Sequence, residues 1–334
     1  MSYEKLTKIN KLHFEDKRVL IIGAGSMAQQ YCKSLSAMKV ENVTVISRRE
    51  ESSRRCCQNY NYKSLSGGYR DNLPKLGIFD LVIVATPIHE LKPAANFAIS
   101  RGNKNILVEK PGALYSTILN DWADETENSD VRIRIGYNRY TYPSLWKLKE
   151  IIKDEGEITS CFYTFTEWVH TIDFKNNQPE VYKRWGIANS LHLISMAHHL
   201  IGMPREISTY QFGSLPWHPS GAQFVGAGIT EKNILFSYQA DWNSAGRWGI
   251  EIMTPDNAYR LIPLEKLYHC PKTSINWKQI ELVSAYPQVK EGIAEEIAVM
   301  LDRELERYIP LVTLKEAVFL TRLAENVFGY SSKP

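Results

Sequence analysis

Apolar and polar positions divide the chain into two parts with different periodicity. From Arg18 onward, short apolar runs alternate with amphipathic stretches of helical period, an order typical of βαβ units and a parallel sheet. The predicted strands are Arg18–Ile22, Val43–Ser47, Leu81–Ala85, Asn105–Val108 and Val131–Gly136. The predicted helices are Met27–Met38, Leu91–Arg101 and Leu114–Glu127. We therefore predict a doubly wound α/β domain over residues 1–137.

After Pro143 the pattern changes. A predicted helix, Leu145–Asp154, leads into strand-like runs with few helices between them. These runs are Ile158–Trp168, Ile207–Phe212, Asn233–Trp242 and Trp248–Met253. Directly joined strands predict an open, mainly antiparallel sheet, and two helical stretches, Gly292–Tyr308 and Leu314–Phe328, follow it. We predict a second, α+β domain over residues 138–334 that binds substrate and forms oligomers.

Composition fits this division and excludes several classes of partner. The chain has 334 residues, of which 44% are hydrophobic and 23% charged, which is typical of two globular domains. Its 40 Lys and Arg against 37 Asp and Glu give a net charge of +3, so we predict no nucleic-acid partner. The longest apolar run, Phe79–Pro87, is far short of the roughly 20 residues of a membrane span. Since Met1–Lys17 lacks the apolar centre of a signal peptide, we predict a cytoplasmic protein without a membrane partner.

The cysteines and histidines predict no metal site. Five cysteines form an odd, scattered set without a CxxC pair, and no HExxH motif is present, which argues against both a disulfide framework and a zinc site. The adjacent Cys56 and Cys57 are expected on a surface loop, with redox activity as the alternative.

A glycine-rich turn follows the first predicted strand and begins the first helix. The segment Gly23-Ala24-Gly25-Ser26-Met27-Ala28 matches the GxGxxG/A dinucleotide fingerprint in this context. Gly23 permits the tight turn, and Gly25 lets backbone N–H groups approach a diphosphate at the helix N-terminus. We therefore predict a dinucleotide site of the Rossmann type that includes Ser26 and Met27.

The end of the second strand predicts which dinucleotide is bound. An NAD site usually has Asp or Glu here, to bind the ribose 2′-hydroxyl. This chain has Ser47, Arg48 and Arg49, which can bind a 2′-phosphate through charge-assisted hydrogen bonds. We predict NADP, with NAD possible if Glu50 or Glu51 binds the ribose instead.

Two further strands end in residues suited to chemistry. Thr86-Pro87 and Glu109-Lys110-Pro111 follow the third and fourth clear strands, at the carboxyl edge where open α/β sheets bind ligands. The Lys110 ammonium can stabilise negative charge that develops on a substrate oxygen, and Pro111 restricts the backbone of Lys110 to an extended conformation. We predict that Thr86, Pro87, Glu109 and Lys110 contact the cofactor.

Together these segments resemble the glucose-fructose oxidoreductase, inositol dehydrogenase and MocA (Gfo/Idh/MocA) family. The matching elements are the fingerprint, Ala85-Thr86-Pro87, Glu109-Lys110-Pro111, Gly136-Tyr137-Asn138-Arg139, and His192 ten residues before Gly202. The resemblance implies a Rossmann domain, a domain with an open antiparallel sheet, a tightly held NAD(P), and sugar or cyclitol substrates. It also implies catalytic roles for Lys110 and His192.

One departure from the family concerns the surroundings of His192. Many members carry Asp four residues before this histidine and three after it, where this chain has Ala188 and Ser195. His192 must then act alone, with Lys110, or with another side chain supplied by the fold. Helical spacing places His192, Ser195 and His199 on one face, where a neutral imidazole can accept a hydroxyl proton. The alternative is a hydrogen-bonded histidine in the core.

Other side chains are candidates for the substrate site. The resemblance places Tyr137 and Asn138 beside the substrate, and Trp168 and Trp185 offer aromatic faces suited to sugars. His199 is a further candidate because it shares the face of His192. For each aromatic side chain, core packing is the alternative.

These observations predict an NADP-dependent oxidoreductase that transfers a hydride between nicotinamide and a carbohydrate or polyol carbon. The alternatives are an NAD-assisted glycosidase or epimerase without net redox, and a catalytically silent nucleotide-binding sensor or partner protein. We also predict a homo-oligomer, a dimer or a tetramer.

Overall fold

The structure is a computed structural model that describes residues 2–334. Its strands are β1 Arg18–Ile22, β2 Asn42–Ile46, β3 Lys63–Leu65, β4 Leu81–Val84, β5 Asn105–Glu109, β6 Arg132–Gly136, β7 Ser160–Phe165, β8 Pro204–Phe212, β9 Gln223–Thr230, β10 Leu235–Asp241, β11 Trp248–Met253, β12 Asn257–Leu261, β13 Leu267–Pro271 and β14 Lys278–Ile280. Its α-helices are α1 Ser2–Thr7, α2 Ser26–Ala37, α3 Glu50–Cys57, α4 Tyr69–Asn72, α5 Leu91–Ser100, α6 Ser116–Thr126, α7 Pro143–Glu155, α8 Pro179–Lys183, α9 Leu191–Ile201, α10 Ile293–Leu301, α11 Arg303–Glu306 and α12 Leu314–Phe328. The predicted elements are therefore present, with ends that differ by a few residues.

Six parallel strands form the first sheet, in the order β3-β2-β1-β4-β5-β6. Its central strands are buried along nearly their whole length, because helices cover both faces of a doubly wound sheet. This order confirms the predicted Rossmann fold. The strand order reverses between β1 and β4, and open α/β sheets bind ligands at such a switch point.

Eight strands form the second sheet, in the order β14-β13-β12-β11-β7-β10-β9-β8. Every neighbouring pair is antiparallel except β7 and β10, which confirms the predicted open, mainly antiparallel sheet. On one face, Tyr163 and Phe165 are buried beside His198 of α9 and Phe328 of α12. These two helices therefore cover that face.

Contacts between Cα atoms divide the chain into two compact units. The first comprises Glu4–Thr141 and Ser284–Val318, and the second includes Tyr142–Val283 and Phe319–Pro334. The predicted division at residue 137 lies close to Thr141, while the later segment Ser284–Val318 returns to the first unit.

Buried polar contacts fasten that returning segment to the first sheet. Arg132 of β6 donates hydrogen bonds to the carbonyl oxygens of Val299 (3.0 Å) and Met300 (2.8 Å), and its guanidinium pairs with Glu306 at 2.9 Å. A guanidinium can satisfy several acceptors at once because its five donors form a fixed fork. Helices α10 and α11 therefore belong to the Rossmann unit.

The structure corrects one expectation about the cysteines. Cys56 and Cys57 lie in α3 and are buried, and the Cys56 sulfur lies 3.4 Å from that of Cys32. The polar residues of α3 concealed its buried side, so the predicted surface loop is wrong. No helix of residues 2–334 combines the length and the apolar character needed to cross a membrane.

Candidate active site

Three neighbouring strands of the first sheet bring the predicted cofactor residues to one edge. Ile22 of β1 pairs with Val84 of β4, which pairs with Val108 of β5. Since these strands are parallel, the segments that follow them emerge side by side. The glycine-rich turn, Thr86 and Lys110 therefore lie along the same carboxyl edge.

The glycine-rich turn has the geometry that a diphosphate requires. Gly23 adopts a φ of +119°, and a Cβ there would collide with the Ala85 carbonyl group. Gly25 caps the N-terminus of α2 without a side-chain hydrogen bond, and no atom lies within 4 Å of the position that its Cβ would occupy. The turn thus leaves space for an anion in front of the helix N-terminus.

A buried hydroxyl beside the turn supports a ligand at this edge. Within residues 2–334, Thr86 Oγ1 is buried and has no hydrogen-bond partner. The Thr86 amide nitrogen lies 3.1 Å from the position of a Cβ on Gly23, so the hydroxyl belongs to a residue that borders the fingerprint. Buried hydroxyl groups are normally paired. The residues at this edge therefore fit a bound dinucleotide.

Ser47, Arg48 and Arg49 follow β2 at the same edge. Ser47 is buried and donates its hydroxyl hydrogen to the Arg49 carbonyl, while Arg48 and Arg49 are exposed. Glu50 and Glu51, the alternative candidates for a ribose contact, form ion pairs within α3, with Arg54 and Arg55 respectively.

The catalytic lysine predicted from sequence follows a buried carboxyl group. Glu109 is buried at the end of β5 and accepts a 2.7 Å hydrogen bond from the Tyr31 hydroxyl. Burial raises the pKa of Glu109, while the Tyr31 hydrogen bond and the positive charges of Lys110 and Lys290 lower it. Lys110 itself is partly exposed. The cluster around Glu109 was not predicted from the sequence.

Tyr137 and Asn138 also belong to the first unit, just after β6. Asn138 is buried, and its amide donates a 2.9 Å hydrogen bond to the Glu291 carbonyl. Tyr137 is 1% exposed, and burial raises the pKa of its phenol. The Asn138 amide thus links the end of β6 to the returning segment Ser284–Val318. The sequence did not predict this contact.

His192 lies in the second unit, in the first turn of α9. A π-helical turn, Gly186–Ser190, precedes it, and such turns are frequent at functional sites. The Ser195 hydroxyl donates a 3.1 Å hydrogen bond to the His192 carbonyl. His192 and Ser195 are both buried, so the polar face predicted for this helix is covered like its apolar face.

A carboxylate that the sequence analysis missed contacts the turn before His192. Glu167, two residues beyond β7, is 6% exposed. It accepts hydrogen bonds from Asn189 Nδ2 (2.8 Å) and from the Ser190 hydroxyl (2.6 Å). Ala188 and Ser195 occupy the positions where the resemblance implies carboxylates, and Glu167 supplies a buried carboxylate that contacts the neighbouring Asn189 and Ser190. The sequence signal for Glu167 was a charged residue shortly after β7, whose apolar positions alternate.

The remaining substrate candidates in the second unit have different surroundings. Trp168 is half exposed, and the Arg247 guanidinium lies 4.5 Å from its ring centroid. Trp185 stacks on Tyr182 at 5.9 Å, and its indole Nε1 is buried without a hydrogen-bond partner in residues 2–334.

The other candidate in this unit, His199, has a basic neighbour. Its Nε2 lies 3.1 Å from Lys149 Nζ, and burial together with the charges of Lys149 and Lys232 lowers the pKa of His199 to about 3. The ring is therefore neutral at physiological pH. Within residues 2–334, no group of three or more His, Cys, Asp or Glu side chains is arranged to hold a metal ion.

Comparison with known proteins identifies the first domain. Residues 17–137 match the family model of the Gfo/Idh/MocA proteins, described as "Oxidoreductase family, NAD-binding Rossmann fold". Curated glutamyl-tRNA reductases of Saccharolobus islandicus strains are 32% identical over 82 residues. That match spans 24% of this chain and 18% of the length of those relatives, so it concerns a small part of either protein.

Solved structures share the fold over nearly the whole chain. The UDP-N-acetylglucosamine 3-dehydrogenase GnnA of Acidithiobacillus ferrooxidans is 14% identical, with a TM-score of 0.71, over 96% of this chain and 98% of its own. Levoglucosan dehydrogenase in complex with NADH is 15% identical, with a TM-score of 0.73, over 93% and 95%. An oxidoreductase of Agrobacterium radiobacter in complex with NAD+, L-tartaric acid and magnesium is 12% identical, with a TM-score of 0.73, over 94% and 96%.

At these identities the solved structures show a common fold, and the family match carries the assignment. That match confirms the resemblance inferred from the fingerprint and from Glu109-Lys110-Pro111, together with the NAD(P) cofactor. Residues 17–137 are thus an NAD-binding Rossmann domain that matches the Gfo/Idh/MocA oxidoreductase family.

Proposed function

We propose that the protein is an oxidoreductase that uses NADP to transfer a hydride to or from a carbinol or carbonyl carbon of a carbohydrate or polyol. The observation that carries the proposal is the alignment of three strand ends, at which the glycine-rich turn, Thr86 and Lys110 follow neighbouring strands. A phosphate-binding turn, an unpaired hydroxyl and an ammonium group along one edge fit a nicotinamide dinucleotide and a reacting oxygen.

The choice of NADP rests on the residues after β2. Arg48 and Arg49 are exposed, and neither forms an ion pair within residues 2–334. Two uncommitted guanidinium groups suit a 2′-phosphate, whereas the paired carboxylates of Glu50 and Glu51 are less suited to a ribose hydroxyl.

The chemistry is divided between the cofactor and the chain. When bound, the nicotinamide supplies or accepts the hydride. Lys110 donates a hydrogen bond to the substrate oxygen and stabilises the negative charge that develops on it. His192 accepts or returns the hydroxyl proton. Gly23, Gly25, Ser26 and Met27 bind the diphosphate.

A sugar substrate is supported by the structural neighbours and by the aromatic candidates. GnnA and levoglucosan dehydrogenase are named for activities on sugars. Trp168 offers a half-exposed indole face, which suits the C–H surface of a sugar ring. Tyr137, Asn138, Trp185 and His199 remain predicted substrate contacts.

Replacement of Lys110 by Met tests the function. Turnover should be measured by NADPH absorbance with a panel of sugars that includes UDP-N-acetylglucosamine and levoglucosan, and their keto derivatives. We expect K110M to lower kcat by about 10²- to 10³-fold while NADPH still binds. The matched control is K104M, because Lys104 is an exposed lysine of the same unit that pairs with Asp130. Unchanged turnover in K110M would refute the role of Lys110, and conversion of sugar without NADPH consumption would support the alternative without net redox.

We also propose that the chain forms a homo-oligomer through the uncovered face of its second sheet. Tyr210 of β8 lies opposite Val225 of β9 in the strand register, and both are more than half exposed, as are Phe212 and Leu235 on the same face. Large exposed apolar side chains grouped on one face of a sheet favour an association site. Light scattering should give the mass of a dimer or tetramer, and the double variant Y210K/V225K should lower it. A cytoplasmic location stays a prediction from the sequence.

A further inference from the structure

Two carboxyl groups and a phenol meet in the interior of the first unit. Tyr31 of α2, Glu109 of β5 and Glu296 of α10 are each at most 8% exposed. The Tyr31 hydroxyl donates a 2.7 Å hydrogen bond to Glu109 Oε1. The three residues join the helix that follows the fingerprint, the strand that precedes Lys110, and the returning segment.

Gly136 marks the point at which these groups converge. It is paired with Glu109 in the register of β5 and β6. A Cβ on Gly136 would lie 3.3 Å from the Tyr31 hydroxyl oxygen and 3.5 Å from Glu296 Oε2. The absence of a side chain at Gly136 therefore leaves room for the phenol and the second carboxyl group to lie close to Glu109.

Simultaneous ionisation of Glu109 and Glu296 would cost much free energy in this interior. Burial and the negative charges of Glu109 and Glu295 raise the pKa of Glu296 well above its ordinary value, although Lys290 and Tyr31 lower it. The Tyr31 hydroxyl approaches Glu296 without the geometry of a hydrogen bond. Of two neighbouring buried carboxyl groups, one therefore stays protonated, because their like charges repel.

The surrounding charges decide which carboxyl group keeps the proton. Glu109 has the short hydrogen bond from Tyr31, and the positive charges of Lys110 and Lys290 favour its ionised form. Glu296 faces the negative charges of Glu109 and Glu295, while the positive charge of Lys290 favours its ionised form. Glu295 is itself a buried acid whose pKa is raised by burial to about 7. The anion is therefore more stable at Glu109.

We propose that Tyr31, Glu109 and Glu296 form a buried triad with a single negative charge, in which Glu296 is a neutral acid and Glu109 is the anion that positions Lys110 and keeps it protonated. The part that concerns Lys110 rests on the proposed function, since it assumes that Lys110 is catalytic. Glu109 is thus a positioning residue that acts through Lys110. Tyr31 stabilises the anion, and Glu296 fills the adjoining space without adding a second charge.

Kinetic pH profiles of matched variants test the triad. E109Q removes the anion, and we expect kcat to fall about tenfold, the loss of one charge-assisted interaction of about 1.4 kcal/mol. E296Q exchanges a neutral acid for a neutral amide, so we expect at most about a threefold loss. In Y31F the anion of Glu109 loses its donor, which raises the pKa of Glu109 and moves the acidic limb of the kcat profile to higher pH. The control is E304Q at an exposed position of the same unit.

A merely structural role for the triad predicts different results. Equal losses of kcat in E109Q and E296Q, or an unmoved acidic limb in Y31F, would overturn the proposal. Circular dichroism and NADPH binding establish that each variant is folded. If E109Q does not fold, the comparison of Y31F with E296Q still tests the proposal, because only Y31F is expected to shift the acidic limb of the kcat profile.

Infrared spectroscopy separates the triad from the proposed function. At pH 9, where Glu295 with its pKa of about 7 is ionised, the wild type should show the carbonyl band of a buried, protonated carboxylic acid, which E296Q should lose and K110M should keep. Retention of the band in E296Q, or its absence from the wild type, would overturn the proton assignment. If the band behaves as expected while K110M retains full turnover, the catalytic role of Lys110 fails and the proton assignment stands.

Discussion

The Ser190 hydroxyl donates a 2.6 Å hydrogen bond to Glu167 Oε1, two residues before His192 in the chain. Asn189 Nδ2 donates to the other oxygen of the same carboxylate at 2.8 Å. Together the two bonds fix the end of the π-helical turn from which α9 begins. His192 is held in the first turn of this helix, so the orientation of its ring depends on where the turn ends.

Substitution of Glu167 should therefore impair catalysis more than cofactor binding. In E167Q a neutral amide replaces the carboxylate, so the charge-assisted bonds from Asn189 and Ser190 are lost. We expect kcat to fall about tenfold, because a hydrogen bond to a charged group contributes about 1.5–3 kcal/mol, while the Kd of NADPH stays the same. The matched control is E157Q at an exposed position of the same unit. Weaker NADPH binding with unchanged kcat would contradict this role.

The exposed arginines after β2 should determine the preference between the two dinucleotides. We expect R48A/R49A to raise the Kd of NADPH by about 10- to 100-fold, which corresponds to the loss of one charge-assisted bond of about 1.5–3 kcal/mol, and to change the Kd of NADH little. Calorimetric titration of both nucleotides measures the ratio. R54A/R55A is the matched control, because it removes two arginines of α3 that pair with Glu50 and Glu51. An equal loss of affinity for NADPH and NADH would exclude a 2′-phosphate contact.

The features that the sequence predicted are those encoded locally. Apolar runs gave β1 and β11 with their observed ends, and the glycine-rich turn needs only a strand before it and a helix after it. The position of Lys110 at a strand end was predicted for the same reason, since it follows from a short segment.

Features that depend on distant contacts were missed. Strand β9 contains Gly226 and Gly228, which weaken a strand pattern, yet a Cβ on Gly228 would collide with the Glu206 carbonyl of β8. Glu296 follows another glutamate in an otherwise apolar helix, and its burial beside Tyr31 depends on the return of Ser284–Val318 to the first unit. No local pattern encodes such a return.

The unpaired Thr86 hydroxyl should lower the free energy of unfolding of the cofactor-free protein. T86V removes a buried hydroxyl without a partner in residues 2–334, so we expect the free energy of unfolding without cofactor to rise by up to about 1 kcal/mol. If the hydroxyl binds the dinucleotide, the Kd of NADPH should rise about fivefold, a loss of about 1 kcal/mol.

Thr141 provides the opposite control in the same unit. Its buried hydroxyl lies within hydrogen-bond distance of the carbonyl oxygens of Asn138 (2.8 Å) and Gly292 (2.7 Å). T141V should therefore lower the free energy of unfolding by about 1–3 kcal/mol, because it leaves these acceptors without the donor. Urea unfolding measures both variants, and a destabilised T86V would mean that its hydroxyl has a structural partner.

Buried histidines should make the second unit sensitive to acid. His198 Nδ1 lies 2.8 Å from the Gly202 carbonyl oxygen, and Nε2 lies 3.2 Å from the Tyr163 hydroxyl, which suits a neutral ring that donates to Gly202 and accepts from Tyr163. Burial lowers the pKa of His198 to about 4 in the folded protein, against 6.5 for an exposed imidazole, although the Gly202 bond raises it. Between these values the unfolded chain binds more protons than the folded chain. Stability therefore falls as the pH falls from 6.5 to 4.

Replacement of His198 by a side chain that does not titrate tests this dependence. His198 alone contributes at most about 3 kcal/mol to the loss between pH 6.5 and 4. H198Q keeps polar atoms near Gly202 and Tyr163, so we expect a lower free energy of unfolding at pH 7 but a shallower decline toward pH 4. Urea unfolding at several pH values measures the slope, and H13Q at an exposed position should reproduce the wild-type slope. Equal slopes in H198Q and the wild type would mean that His198 is charged in the folded protein at pH 5, which its contacts with Gly202 and Tyr163 oppose.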